Sequence, residues 1–405
     1  MIPPSRRLAL SSSVIVILLA GCSSVAPTPG PSVLPLPSTA ASIAPSLQPS
    51  PTVAPSPSVA ASPSSVATGW RLDGLAAKNV ATTFSDVLAL PDGFLVSGEN
   101  GPRGEIPVVL RSADGLIWSA DTIGSTFAAP TQLRVVGDRV LAVGGGESDK
   151  CAHPSGLDTW ARGSGGIWAE TPFDPDFVCI GSGSSTLLGL GGKAVVLGSG
   201  SGDVPFLWTS TDGLHWVDGG RPFGEVFPQA AATDGTTLWV FGPEPDGRSV
   251  VISRTGDGAF GAPAPIPGLG PDASIQSAVW LNGALSLVVF EGGHVGILTS
   301  DGRGGWTAVP SSGGPSSDDV SRVESVDGLL VALGADPTAG PRIWTSATGT
   351  TWTAVAVPAE ADADANLTGI AVGNGIAVAV GQVTSSDGTH AVAAIWAAPA
   401  SILRG

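Results

Sequence analysis

Residues Leu207-Trp208-Thr209-Ser210-Thr211-Asp212-Gly213-Leu214-His215-Trp216 form a frame that returns along the chain. Leu207-Trp208 ends one strand, Ser210 to Gly213 make a tight turn, and Trp216 opens the returning strand. Ser and Asp side chains bond to their own turn amides, and Gly accepts a positive φ, so the frame encodes a hairpin and not a helix. It appears as Ser112-Ala113-Asp114-Gly115 with Trp118, and in eroded form as Gly163 to Gly166 with Trp168. It goes on as Thr255 to Gly258 with Phe260, Ser300-Asp301-Gly302 with Trp306, and Ser346 to Gly349 with Trp352. The aromatic recurs every 44 to 50 residues, the length of one four-stranded propeller blade.

A second hairpin precedes the first in each unit, with turns at Asp92-Gly93, Gly137-Asp138, Gly191-Gly192, Asp234-Gly235, Asn282-Gly283, Asp327-Gly328 and Asn374-Gly375. Short apolar runs follow, such as Ala194 to Leu197 and Ile376 to Val380, as strands buried on both faces require. The sequence therefore predicts an all-β fold, a seven-bladed β-propeller of four-stranded antiparallel blades spanning residues 69–405. The seventh unit ends near Trp396 without its outermost strand. Gly69-Trp70-Arg71-Leu72 has the character of the absent strand and is expected to close the ring, leaving no sheet edge there.

Ahead of the propeller, residues 1–21 read as a targeting segment, with Arg6 and Arg7 before the apolar run Val14 to Leu19. The run ends in Leu19-Ala20-Gly21-Cys22, which resembles the lipobox of bacterial lipoproteins. That resemblance implies lipidation of Cys22, which becomes the new N-terminus, and attachment to the cell membrane facing the extracytoplasmic side, at the surface or in the periplasm. Residues 22–68 follow as a Pro/Ser/Ala-rich stretch without charge that cannot build a core. At about 3.1 Å per residue it would reach up to ~140 Å as a tether; a glycosylated Ser/Thr-Pro stalk is the alternative.

The Ser-x-Asp-Gly-x-x-Trp hairpins resemble the Asp-box, or BNR, repeats of sialidase-like propellers. In that family the box is a structural turn remote from the central site. The resemblance thus assigns structural roles to Ser112, Asp114, Gly115 and Trp118, to Ser210, Asp212, Gly213 and Trp216, to Ser300, Asp301, Gly302 and Trp306, and to Ser346, Gly349 and Trp352. Sialidase chemistry needs a tyrosine nucleophile, and the chain has no tyrosine. No catalytic residue is assigned; a polysaccharide hydrolase or lyase using carboxylates in the central depression is the alternative to a binding module.

The net charge of −16 disfavours nucleic acid and favours a basic partner. Acidic residues concentrate in the segments joining second to third strands and blade to blade, which share one face. The candidate binding face comprises Glu147, Asp149, Asp174 and Asp176, with Phe173 and Phe177 as loop-side aromatics beside Phe223 and Phe227. A protein partner in the cell envelope is favoured over a glycan, because most tryptophans fall at strand positions. The domain is expected to be a monomer. Cys151 and Cys179 are expected to form a disulfide in an oxidising compartment; closing about 28 residues would contribute about 3 kcal/mol. No cofactor is assigned. Asp362, Asp364 and Asn366 alternate as calcium ligands do, but the turn glycine and terminal glutamate of an EF-hand are missing. The four histidines are too dispersed for a metal site.

Overall fold

The computed structural model describes residues 69–72, 81–101, 106–124, 128–147, 155–172, 177, 179, 185–200, 204–270, 273–312, 314–336, 340–358, 364–384 and 391–405. The lipobox, the tether, Cys151, Asp149, Phe173, Asp174, Asp176 and Asp362 lie outside these residues.

Seven antiparallel sheets follow one another in chain order. Their first strands are Thr83–Leu90, Ala129–Val136, Ser185–Leu190, Ala230–Thr233, Ser274–Leu281, Val320–Val326 and Asp364–Gly373. These strands contact one another right round the ring, that of blade 7 against that of blade 1, and line the central cavity. Blade 2 carries a fifth strand, Thr122–Ile123, parallel to its outermost strand Ile167–Glu170. The first hairpins turn as expected: Asn282-Gly283, Asp327-Gly328 and Asn374-Gly375 each hold two positive φ angles, which matches strand twist.

Ring closure is also as expected. Arg71–Leu72 pairs antiparallel with Ala391–Pro399, Arg71 opposite Ala397 and Leu72 opposite Trp396, as the outermost strand of blade 7.

A blade has two apolar faces and covers them only with its neighbours. Accordingly the buried apolar residues fall into seven clusters, each straddling one pair of adjacent blades. The recurring aromatic is the plug of these seams. Trp118 packs between blades 7 and 1, Trp168 between 1 and 2, Trp216 between 2 and 3, Phe260 between 3 and 4, Trp306 between 4 and 5, and Trp352 between 5 and 6. At the last seam, between blades 6 and 7, Trp70 takes that place.

The inner strands carry β-bulges at equivalent points in blades 1, 2, 5, 6 and 7, for example between Phe84 and Asp86 and between Val320 and Arg322. In blades 1, 2, 6 and 7 a second-strand glycine faces the bulge. A Cβ added at Gly144 would stand 1.8 Å from the carbonyl oxygen of Ala129, and one at Gly334 1.8 Å from that of Asp319. The bulge pushes backbone into the space a side chain would need.

Trp70 thereby becomes testable as a core residue outside the repeats. Trp70→Ala is expected to lower the stability of the full chain by ~2–4 kcal/mol in urea unfolding, whereas alanine at tether serines leaves the midpoint unchanged.

Candidate functional site

Inner strands alternate side chains, so every second residue faces the axis. On the sixth, Arg322 and Glu324 share that face, and on the second so do Gln132 and Arg134. They surround a central cavity of about 840 Å³ whose wall also includes Gln229, Gln276, Ser277 and Trp280.

Four charges lock together there. The buried Asp86 accepts hydrogen bonds at Oδ2 from the Leu133 amide, 2.8 Å, and from Arg134 Nη1, 3.0 Å. Its Oδ1 faces Arg322 Nη2 at 3.2 Å. The same Nη2 lies 3.4 Å from Glu324 Oε2, while Glu324 Oε1 accepts the Ile370 amide at 3.1 Å. Arg322 reaches from blade 6 to blade 1 across the inner strand of blade 7, donating to the Thr368 carbonyl at 2.8 Å on the way. Gly369 lets the inner strands of blades 7 and 1 approach closely there: a Cβ on it would stand 3.2 Å from Asp86 Cα. The network therefore spans blades 6, 7, 1 and 2, across the seam where the ends of the domain meet.

Hydroxyls continue this collar. Ser321 Oγ donates to the Leu367 carbonyl at 2.8 Å, Thr368 Oγ1 to that of Phe84 at 2.7 Å, and Ser277 Oγ to that of Val323 at 2.9 Å. Burial pushes the Glu324 carboxyl above its ordinary range, opposed by Arg322. Burial also works against the Arg322 charge, but Glu324 and Asp86 outweigh it and hold that guanidinium above its usual value. Asp86 and Glu324 are thus each engaged by an arginine and a backbone amide, while Asp327, also on the cavity wall, pairs with Arg404. The wall offers hydrogen bonds and shape to a ligand.

The residues of the recurring Ser-x-Asp-Gly frame lie elsewhere, in the turns, or boxes, between third and fourth strands. Asp114 Oδ1 accepts the Leu116 and Ile117 amides, each at 2.9 Å, and Ser112 Oγ accepts the Gly115 amide at 2.8 Å. Asp212 repeats this with Leu214 and His215 at 2.9 and 2.8 Å, and Ser210 with Gly213 at 2.8 Å. Burial opposes the Asp212 charge, but the amide and ring hydrogens of His215 outweigh it and hold this carboxyl well below the usual range. Asp301 caps Arg303 and Gly305 at 2.7 and 2.9 Å, with Gly302 bonded to Ser300 at 3.0 Å. Ser346 caps Gly349 at 2.8 Å, and Thr348 stands where the turns of blades 1 and 3 have aspartate. A Cβ on Gly213 would strike Leu141 at 2.4 Å, and one on Gly349 would strike Ile297 at 2.8 Å. The turns of blades 3 and 6 are thus pressed against the preceding blade.

Other sequence readings need correction. Phe177 is not a loop-side contact: it is 1% exposed, stacked on Trp216 at 5.1 Å and edge-on to Trp208 at 5.2 Å. Phe223 is likewise buried, against Phe260 at 5.2 Å. Both serve the apolar seams, which extend into connections that the sequence reading treats as surface. Asp364 and Asn366 sit in the inner strand of blade 7, paired with Thr384 and Gln382, so their backbone is extended and not wrapped as a calcium loop is. Among the described residues no group of three or more His, Cys, Asp or Glu gathers as metal ligands do. Glu147 ends the second strand of blade 2, and Cys179 stands in a turn entering blade 3.

One carboxyl pair was invisible in the sequence. Asp158, 1% exposed on the third strand of blade 2, is pushed up to about 8 by burial and by hydrogen bonding and charge from Glu170 on the fourth strand. Burial thus favours the protonated form of Asp158 inside blade 2. Asp86, Arg134, Arg322 and Glu324 were also missed. Their signal was charge at alternate positions within otherwise apolar inner strands.

The sequence matches no protein-family model, and no curated protein matches it. Solved structures do match. The BP39L lectin from Burkholderia pseudomallei aligns with a TM-score of 0.53 at 14% identity, over 80% of this chain and 97% of that one. Puromycin hydrolase aligns with a TM-score of 0.48 at 15% identity, over 80% of this chain and 55% of that one, so the chain spans about half its length. A variant of Aleuria aurantia lectin in complex with alpha-methyl-L-fucoside gives 0.43 at 13% identity, over 68% and 96%. Together with the seven closed sheets, the first likeness defines the class: the domain is a seven-bladed β-propeller.

Asp158 yields a pH-dependent outcome. In the unfolded chain it ionises near pH 4 and in the fold near 8, so the folded state binds the extra proton between these values. Its contribution to stability therefore falls as pH rises through that window. Asp158→Asn, which keeps the donor toward Glu170, is expected to melt above the unsubstituted protein at pH 8 and to lose that advantage at pH 4 in calorimetric scans.

Proposed function

We propose that this chain is a membrane-anchored extracytoplasmic lipoprotein whose Asp-box propeller is a non-catalytic binding or scaffolding module. Cys22 carries the lipid, residues 23–68 are the tether, and a Cys151–Cys179 disulfide holds the long blade 2 loop. The observation that carries the non-catalytic reading is that the described carboxylates at the cavity are engaged, Asp86 and Glu324 by Arg134, Arg322 and backbone amides and Asp327 by Arg404. An acid–base hydrolase needs one carboxyl free to give a proton and another free to attack or activate water.

The partner is a protein presenting basic side chains to the loop face. In an antiparallel blade the link between second and third strands and the link to the next blade emerge at the same end. Of the described acidic residues there, Glu225, Asp246 and Asp318 are exposed, whereas Glu244 is engaged by Arg248. Such a field steers a cationic surface and weakens with salt. The burial of Phe177 and Phe223 removes two of the four aromatics that a sugar platform on that face would use, and Phe227 is half-buried.

Three measurements test the reading. Polysaccharides incubated with the full chain are expected to release no reducing ends; release abolished by Glu324→Gln would replace the scaffold by a hydrolase. Crosslinking in the cell envelope is expected to yield a partner adduct that fades with added salt and with Glu225→Lys/Asp246→Lys/Asp318→Lys. Cys22→Ser is expected to move the protein from the membrane to the soluble fraction, and an unchanged distribution would remove the lipid anchor.

A further inference from the structure

The aromatic plugs fill the seams between blades, but beside the plug between blades 4 and 5 a crevice of about 510 Å³ remains. It opens among the turns, on the face opposite the acidic loops, and is walled by Trp239, Trp280 and Trp306 with Ser253, Ser300 and Asp301. One departure from the repeat shapes it, beside a wall that includes the small residues Ala262 and Ala264. Trp239 stands three residues before Gly242, where blades 1, 2, 6 and 7 have Leu95, Leu141, Val331 and Val378 before the equivalent glycines. Those four aliphatics are at most 2% exposed, whereas Trp239 is only half-buried.

The walls are preorganised. Trp239 and Trp280 meet at 68° with centroids 5.5 Å apart, and Trp306 is held edge-on against Phe241 at 5.8 Å. The Trp280 indole N–H donates to the Thr233 carbonyl at 2.8 Å, which fixes that ring between the crevice and the central cavity. Asp301 is pinned through Oδ1 by two turn amides, leaving Oδ2 as an acceptor. The indole N–H groups of Trp239 and Trp306 bond to no described residue and are not among the enclosed unpartnered atoms.

A ligand matching this set has apolar ring faces to lie on indoles and hydroxyls around its rim for Ser253, Ser300, Asp301 and the indole N–H groups. We propose that the crevice between blades 4 and 5 binds a neutral pyranose segment of a glycan. A pyranose presents axial C–H bonds to an aromatic face while its equatorial hydroxyls point outward. The volume suits one or two rings, within the range of about 300–1,000 Å³ of small-ligand sites. A quaternary ammonium would also favour indole faces, but it would occupy a small part of the space and leave the N–H donors unanswered. This site is independent of the loop-face partner proposed above.

The test uses the full chain, with cellohexaose, mannohexaose, laminarihexaose, chitohexaose and maltohexaose as sugars and choline chloride as the cationic control. At least one hexasaccharide is expected to shift tryptophan fluorescence saturably. Trp239→Leu is expected to weaken that binding by about tenfold or more at an unchanged melting temperature, since leucine serves at this position in blades 1 and 2. In the unsubstituted protein the bound sugar is expected to protect Trp239 and Trp306 from N-bromosuccinimide, read by peptide mass. Glu225→Lys/Asp318→Lys is expected to leave sugar binding intact, which separates this site from the loop face. Silence across the hexasaccharides overturns the proposal. Choline binding tighter than every sugar overturns it too, as does sugar binding that neither responds to Trp239→Leu nor protects these two tryptophans.

Discussion

A propeller blade cannot cover itself: both faces of its sheet are apolar, and only the blades on either side can take them out of water. The ring must therefore close. Here closure joins the two ends of the domain through Arg71–Leu72 on Ala391–Pro399, with Trp70 in the seam between blades 6 and 7. Buried charge reinforces the same region. Arg322 reaches over blade 7 to Asp86 of blade 1, which in turn holds Arg134 of blade 2. Removing one member of such a network strands the rest in a low-dielectric interior, and breaking a buried pair costs about 3–5 kcal/mol. The least continuous part of the chain is thus tied by the strongest polar contacts of the inner ring.

Around that closed ring, the repeat supplies one aromatic plug per seam and a turn to aim it. In the complete boxes of blades 1 and 3, aspartate and serine satisfy the turn amides, while glycine lets the hairpin press on the preceding blade. Blade 4 shows what happens when the box erodes. Asp257 lacks the serine partner and instead pairs with Lys193 of blade 3 at 2.7 Å, and Phe260 replaces tryptophan. The same blade has an unusual tryptophan at position 239, which walls the crevice against blade 5. Departure from a repeat that elsewhere serves packing is the feature that distinguishes that seam.

Both faces of the domain carry exposed acidic residues, Glu225, Asp246 and Asp318 among the loops and Asp92, Asp138 and Asp234 among the turns, and the turn face also holds the tryptophan-walled crevice. In the central cavity between them, Arg134 and Arg322 answer Asp86 and Glu324. The carboxyl groups divide by the same physics: turn aspartates are held ionised by amide hydrogens, whereas Asp158 and Glu324 are pushed toward their protonated forms by burial.

The sequence by itself determined the number of blades, the turns and the closing strand, because each is written in local chemistry: a period of 44 to 50 residues, Gly and Asp at fixed offsets, and one tryptophan left over at position 70. Periodicity of two also told which residues share a face of a strand. It did not tell what that face meets. Phe177 and Phe223 looked like rim residues in connecting loops, and only the packed seams made them core. Asp364 and Asn366 had the alternation of a calcium loop, and only pairing with Thr384 and Gln382 made that segment a strand. The carboxylates of Asp86 and Glu324 met Arg134 and Arg322 only once the blades stood round an axis, and three tryptophans from two blades became one crevice only there. Local backbone preference is set within a few residues, whereas which side chains meet is decided by closure of the ring, which no stretch of the chain contains.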